Sequence, residues 1–213
     1  GFSIVTDPLG TTQVFLGEGR GGRTVSAGTH ADLVAVAGGI SDEVDIISTA
    51  QFLRQGYCVF PGTMYKNLAE GQPGAVYVMR RTADEGMSAG LWSYWSPPPE
   101  IRTGYNEADL VDALREILLT SAADRCGPRK TGVALSGGLD SRLVLAAIPD
   151  DKDCVAFTMC DTLNREARTA RRVAAAYGRS WSPMFRQKEY LADQLEDVVR
   201  FVGCECEFVH AHL

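Results

Sequence analysis

The stretch that decides the fold is Gly132-Val133-Ala134-Leu135-Ser136-Gly137-Gly138-Leu139-Asp140-Ser141-Arg142-Leu143-Val144. Its apolar run predicts a strand over 130–135, its small and polar residues predict a turn, and its apolar spacing predicts a helix over 140–148. Two glycines let backbone N–H groups converge on one point, and the start of a helix adds partial positive charge there. The stretch therefore predicts an anion-binding loop at the carboxyl end of a strand, with a plain glycine-rich turn as the alternative.

The side chains of this loop indicate which anion it suits. Ser136 and Ser141 add hydroxyl donors, and the loop has no lysine of the kind that a Walker loop directs at the β- and γ-phosphates. Asp140 stands at the start of the helix instead, and a carboxylate there can hold a Mg²⁺ ion that bridges phosphate oxygens. This combination favours the binding and release of pyrophosphate.

The sequence around the loop alternates between helix and strand patterns. A helix is predicted from residue 106, with an apolar face formed by Leu110, Leu114, Ile117 and Leu118. A strand is predicted over 153–160, and further helices over 164–178 and 187–201. Strands that alternate with helices predict an α/β domain with a doubly wound parallel sheet.

The preceding part of the chain is mostly β, so the whole sequence combines an α+β part with an α/β part. Residues 2–16 predict two strands around a tight turn at 7–10, and the glycines of 17–22 predict a hairpin loop. A helix is predicted over 43–54, with Val44, Ile47 and Phe52 on its buried side. We expect a β-rich domain over 1–95, a proline-containing linker over 96–105 and the α/β domain over 106–213.

Composition excludes several functional classes. With 21 Lys and Arg against 27 Asp and Glu, the net charge is −6, so no basic surface for nucleic acid is expected. No apolar run approaches the roughly 18 residues of a membrane span. The six cysteines lack the spacing of a disulfide framework, which favours a reducing, cytoplasmic location.

Ser136-Gly137-Gly138-Leu139-Asp140-Ser141 resembles the pyrophosphate loop of ATP pyrophosphatases, and in this form the synthetase domain of asparagine synthetases. Residues 6–10 are similar to a turn late in that family's glutamine amidotransferase domain, and residues 68–74 and 92–95 resemble its last part. The resemblance implies that 1–95 is the rear part of a mostly β, Ntn-hydrolase-like amidotransferase domain. It implies that 106–213 is the front part of a synthetase domain, and that the chain is a fragment.

The resemblance also implies a reaction and its ligands. The family forms amides through an acyl-adenylate, with release of pyrophosphate and AMP, and asparagine synthetases join aspartate to ammonia from glutamine. The implied ligands are ATP, Mg²⁺ and small-molecule substrates, without nucleic acid or membrane partners, and a homodimer is an open alternative. By this resemblance Asp140 is the catalytic Mg²⁺ ligand, and ATP is held by residues of the loop and two neighbouring strand ends: Leu135, Ser136, Gly137, Gly138, Leu139, Asp140, Ser141 and Met159.

Several positions depart from the family pattern and keep other functions open. Thr6 stands where the family has arginine, and no counterpart of its N-terminal cysteine nucleophile is present. The alternatives are a ligase or cyclase acting on another carboxylate, of the β-lactam or lasso-peptide type, and an inactive nucleotide-binding module. Arg142 follows the loop where serine is common; we expect it on the helix surface, with a phosphate contact as the alternative.

Two other patterns are weak signals of a site. Cys204 and Cys206 with His210 and His212 have a poor spacing for structural zinc. The arginines around Glu166 predict a solvated basic helix face, with a phosphate or substrate contact from one of them as the alternative.

Overall fold

The computed structural model describes residues 1–22, 24–82, 87–99 and 104–203, and of Met87 the backbone only. The described chain forms two compact units, residues 1–99 with 191–203 and residues 104–190. The strands are, in chain order, β1 (Phe2–Val5), β2 (Phe15–Glu18), β3 (Val25–Gly28), β4 (Leu68–Glu70), β5 (Ala75–Arg81), β6 (Met87–Ser93), β7 (Thr131–Ala134), β8 (Cys154–Cys160) and β9 (Ser180–Phe185). The α-helices are α1 (Ala31–Gly38), α2 (Ile46–Gln55), α3 (Glu107–Arg125), α4 (Leu139–Ala147), α5 (Arg165–Ala176) and α6 (Tyr190–Val202).

The first unit contains two three-stranded antiparallel sheets, in the orders β1-β5-β6 and β3-β2-β4. The predicted pairing of the first two strands around the 7–10 turn is wrong, because β1 pairs with β5, Phe2 opposite Met79, while β2 joins the other sheet. The turn itself is present, since the Gly10 N–H donates to the Asp7 carbonyl at 3.3 Å. The predicted hairpin loop lies between β2 and β3.

A small core holds the second of these sheets against α1. Its buried members come from β2, α1, the residues after α1 and β4: Phe15, Ala31, Val34, Ala35, Ile40 and Leu68. Helix α2 begins at Ile46 because Asp45 caps it, accepting a hydrogen bond from the Ser48 N–H at 2.8 Å. The predicted buried side of this helix is wrong for Val44 and Ile47, which are exposed, whereas Phe52 is half-buried and Ser48 is the buried residue of α2.

The second unit is built on a parallel sheet in the order β7-β8-β9. The predicted strands over 130–135 and 153–160 and the helices after them are present, with ends that differ by one or two residues. Strand β9 was not predicted; it is an edge strand of this sheet, where Pro183 is tolerated without a ladder N–H. The core of the unit comes from the three strands and the helices between them, and includes Val133, Leu135, Leu145, Ala156, Ala170 and Ala174.

The structure confirms the α/β class, as a mixed α/β chain with three small sheets, one of them parallel. Both crossovers of the parallel sheet, β7 to β8 and β8 to β9, step in the same direction across it. The reversal that defines a doubly wound sheet is not among the described residues, so that finer prediction stays open.

Helix α3 differs from its prediction in burial. Of the expected apolar face, Leu110, Leu114 and Ile117 are exposed and Leu118 is half-buried, and the helix has no buried residue. Over the described ranges, no helix combines the length and the apolar character that a membrane crossing requires.

Candidate functional site

The end of β7 is fixed to the neighbouring strands by hydrogen bonds. Leu135 follows the strand and is only 1% exposed, and its N–H donates to the Phe157 carbonyl at 2.8 Å. The Leu135 carbonyl accepts a hydrogen bond from the Thr158 hydroxyl at 2.6 Å, and the Trp181 indole N–H donates to the same hydroxyl at 2.9 Å. The chain therefore enters the loop from a rigid point that β8 and β9 hold in common.

Two serines close the loop onto the first turn of α4. The Oγ atoms of Ser136 and Ser141 are 2.8 Å apart, and the Ser136 N–H donates to Ser141 Oγ at 3.1 Å. The Gly138 N–H donates to Ser136 Oγ at 3.1 Å, where a Cβ added to Gly138 would meet that oxygen at the same distance. Residue 138 therefore has room for glycine but little for a larger residue, and the serine hydroxyls lie inside the turn.

The N-terminus of α4 has no side-chain cap, and neither does that of α1. Asp45, Asn106 and Asn164 cap α2, α3 and α5 with their side chains, whereas Gly138, the N-cap residue of α4, has no side chain to do so. The first N–H groups of a helix have no partner within the helix and carry its partial positive charge. At α4 these N–H groups are available to water or to an anion.

Asp140 lies in the first turn of this uncapped helix and is exposed. Within the described residues its carboxylate makes no hydrogen bond or ion pair. A carboxylate at this place is free to bind a cation that an anion in the loop also contacts.

Arg142 is half-buried, and its side chain folds back onto the loop backbone, a contact that the expected helix-surface position did not include. Its Nε donates to the Gly138 carbonyl at 2.9 Å, and its Nη2 donates to the Gly137 carbonyl at 3.0 Å. The sequence signal for this contact is the four-residue spacing from Gly138, one helical turn, which places the side chain over the preceding turn.

Glu166 reaches the loop from the next crossover. Asn164 caps α5 by accepting a hydrogen bond from the Ala167 N–H at 2.9 Å, which places Glu166 in the first turn of that helix. Glu166 Oε1 accepts the Gly137 N–H at 3.3 Å, and a Cβ on Gly137 would lie 3.4 Å from Glu166 Cγ. Sequence reasoning placed this residue on a solvated face; the signal missed is that helices after neighbouring parallel strands begin at the same sheet edge.

The structure brings the predicted loop residues together but places the two flanking residues differently. Ser136 and Ser141 are bonded to each other, while Leu139 is exposed. Leu135 has its side chain in the core, and Met159 is half-buried in β8 opposite Met184. Contacts of these two residues with an adenosine remain predictions.

Metal-binding clusters are absent from the part of the chain that the structure describes, in the sense of three or more His, Cys, Asp or Glu side chains grouped together. Cys204, Cys206, His210 and His212 lie outside the described residues. Cys126, Cys154 and Cys160 are free thiols, and burial raises the pKa of the Cys154 thiol.

The loop lies within a match to a known family. Residues 113–208 match the family model described as Asparagine synthase. This match supports the asparagine synthase family for this part of the chain. The asparagine synthase match contains the whole loop together with α4, β8, α5 and β9. It supports an enzyme of the ligase type that uses ATP and small-molecule substrates. No curated protein gives a significant match to the chain.

Proposed function

We propose that the loop Ser136–Ser141 binds the pyrophosphate part of ATP in an amide-forming ligase that works through an acyl-adenylate. The observation that carries the proposal is the N-terminus of α4, which has no side-chain cap and begins at Leu139 directly after a serine-linked glycine turn. Its N–H groups are available to oxygens that carry negative charge. The asparagine synthase match over the same residues supports pyrophosphate as that anion.

The chemistry needs little beyond positioning and charge stabilisation. A substrate carboxylate oxygen attacks the α-phosphorus, the bond from this phosphorus to the β-phosphate oxygen breaks, and pyrophosphate leaves. An amine nitrogen then attacks the acyl carbon and loses a proton, the bond from this carbon to the phosphate oxygen breaks, and AMP leaves. Negative charge grows on the departing pyrophosphate, so fixed N–H and O–H donors around it lower the barrier.

Each loop residue has a separate part in this proposal. The glycines let backbone N–H groups approach the phosphates closely, and a Cβ at Gly138 would crowd Ser136 Oγ. The Ser136 and Ser141 hydroxyls, now bonded to each other, rotate to donate to phosphate oxygens.

Asp140 fits the Mg²⁺ ion that usually accompanies ATP. Its exposed carboxylate lies in the same turn as the open N–H groups, and Mg²⁺ prefers one or two carboxylates together with phosphate oxygens and water. When bound there, the ion would neutralise charge on the leaving pyrophosphate. Asp140 itself would hold the ion and orient it.

We further propose aspartate as the acid and glutamine as the nitrogen source, so that the product is asparagine. The support is the family match, together with the resemblance of residues 6–10 and 68–74 to a glutamine amidotransferase domain.

The test is pyrophosphate release from ATP and Mg²⁺ by the purified protein, measured with aspartate and with or without glutamine or ammonia. Release that depends on aspartate, with asparagine formed in equal amount, is the expected result. Release with another carboxylate and not with aspartate would replace asparagine synthesis by a related ligase or cyclase. ATP binding without release under any condition would leave an inactive nucleotide-binding module and overturn the ligase.

A further inference from the structure

We propose that Arg142 is a positioning residue that holds the loop amides in the orientation needed for pyrophosphate; the inference rests on the proposed function of the loop. The guanidinium makes two hydrogen bonds to successive backbone carbonyls, Nη2 to Gly137 at 3.0 Å and Nε to Gly138 at 2.9 Å. The two acceptor oxygens are those of glycines, and the backbone of glycine is less restricted in conformation than that of any other residue.

The two bonds fix N–H groups as well as carbonyls. A trans peptide is planar, and its N–H points opposite to its C=O. Holding the Gly137 oxygen therefore sets the direction of the Gly138 N–H, and holding the Gly138 oxygen sets that of the Leu139 N–H. Both N–H groups are then turned away from the guanidinium, and that of Gly138 donates to Ser136 Oγ at 3.1 Å, a hydroxyl that an anion can displace by rotation.

The shape of the arginine side chain suits this task better than lysine does. Nε and Nη2 lie on one edge of a rigid plane, so a single side chain can bind two neighbouring acceptors at once. A lysine ammonium is a point donor on a flexible stem and does not impose that spacing. The half-buried position of Arg142 restricts the guanidinium further.

The positive charge of Arg142 can also act on an anion bound in the loop. Within the described residues no carboxylate forms an ion pair with it, whereas Arg20, beside the other glycine-rich segment, pairs with Asp42 at 2.8 Å and with Glu43 at 2.7 Å. A positive charge that no acid neutralises lowers the free energy of an anion bound nearby. Arg142 therefore supplies both orientation and charge.

The experiment compares Arg142→Met and Arg142→Lys with the wild type and with Arg20→Met as the matched control. Dissociation constants for pyrophosphate and for AMP are measured separately, with Mg²⁺ present. Loss of two charge-assisted bonds is expected to weaken pyrophosphate binding roughly ten- to hundredfold in Arg142→Met, with AMP binding unchanged. Arg142→Lys restores only part of the affinity.

Amide hydrogen exchange without ligand tests the positioning directly. Exchange at Gly138 and Leu139 is expected to become faster in Arg142→Met and to stay unchanged in Arg20→Met. Unchanged exchange, full recovery by lysine, or an equal loss of pyrophosphate and AMP binding would overturn the inference. If the wild type binds neither ATP nor pyrophosphate, the proposed function fails, and exchange at these two amides still decides whether Arg142 holds the loop.

Discussion

The turn at residues 7–12 and the loop at residues 136–141 use the same backbone groups for opposite purposes. In the turn, Asp7 accepts N–H groups from Leu9 at 3.1 Å, Thr11 at 3.0 Å and Thr12 at 3.0 Å. These bonds lower the pKa of the Asp7 carboxyl to about 2. We call such a group of converging N–H donors a cradle. At residues 7–12 the cradle is filled by a carboxylate of the turn itself.

The loop at 136–141 has no such internal acid in its cradle. Glu166 reaches one N–H from another helix at 3.3 Å, and the serine hydroxyls take the N–H groups of Ser136 and Gly138. These partners are separate from the loop backbone or can rotate, so an incoming anion can replace them. The comparison indicates that a cradle filled by its own acid is structural, and that one held by exchangeable partners is suited to binding.

Asp140→Asn should give the largest effect, because it removes the carboxylate proposed to hold Mg²⁺ at the open cradle. We expect ATP turnover to fall by about a thousandfold, a typical loss when a centre of charge stabilisation is removed. Asp7→Asn, at the filled cradle, should leave turnover unchanged at a temperature where the variant is folded. Pyrophosphate release measures both, and undiminished turnover in Asp140→Asn would contradict the metal role.

Ser141→Ala should weaken ATP binding by an intermediate amount. The change removes one partner of the 2.8 Å Ser136–Ser141 contact and one donor for a phosphate oxygen, which corresponds to about a tenfold rise in KM for ATP. Thr169→Ala is the control, because the Thr169 hydroxyl donates only to the Arg165 carbonyl of its own helix. An equal effect in both variants, seen in initial rates, would argue against a role of Ser141 in the loop.

Glu166→Gln should strengthen pyrophosphate binding a few-fold, by about 1 kcal/mol or less for an exposed charge. The carboxylate repels a pyrophosphate that approaches the Gly137 N–H, and the amide keeps a similar shape without that charge. Titration calorimetry with Mg²⁺ present measures the change, with Glu107→Gln on α3 as the control. Weaker binding in Glu166→Gln would show that Glu166 helps to hold the ligand or its metal.

Asp7→Asn should have a small effect that depends on pH. The folded-state pKa of Asp7 is about 2 against an ordinary 3.8, so the unfolded state binds more protons between these values. The contribution of Asp7 to stability is therefore complete above about pH 4 and lost as the pH falls toward 2. Urea unfolding midpoints from pH 2 to 5 should fall more steeply in the wild type than in Asp7→Asn. Parallel curves would contradict the filled cradle.

The sequence predicted the unit with the parallel sheet best, because the first two strands of that sheet and the loop are each an unbroken stretch of sequence with a recognisable pattern. The pairing of β1 with β5 could not be read in this way, since the partners are more than 70 residues apart and each pattern is short. Strand β9 was missed because serines and Pro183 interrupt its apolar residues. The apolar spacing of α2 and α3 shows which side is apolar, but it does not show what covers that side.

The candidate site divides in the same way. Ser136 and Ser141 could be predicted because they belong to one short motif. The contacts of Glu166 and Thr158 with the loop region arise only when parallel strands bring distant residues to one sheet edge. The spacing of Arg142 from Gly138 could predict that its side chain lies over the preceding turn. Its hydrogen bonds to two carbonyls could not be predicted, because they depend on the conformation of the glycines.

The bond from the Trp181 indole to Thr158, and from Thr158 to the carbonyl before the loop, gives the unit a built-in fluorophore. Indole emission responds to the polarity and hydrogen bonding of its surroundings. Two hydrogen bonds, through the Thr158 hydroxyl, link the Trp181 indole to the Leu135 carbonyl. The other tryptophans, Trp92 and Trp95, are 53% and 37% exposed and lie in the first unit. In a variant with both replaced by phenylalanine, the emission of Trp181 would follow the arrival of an anion in real time, without a label.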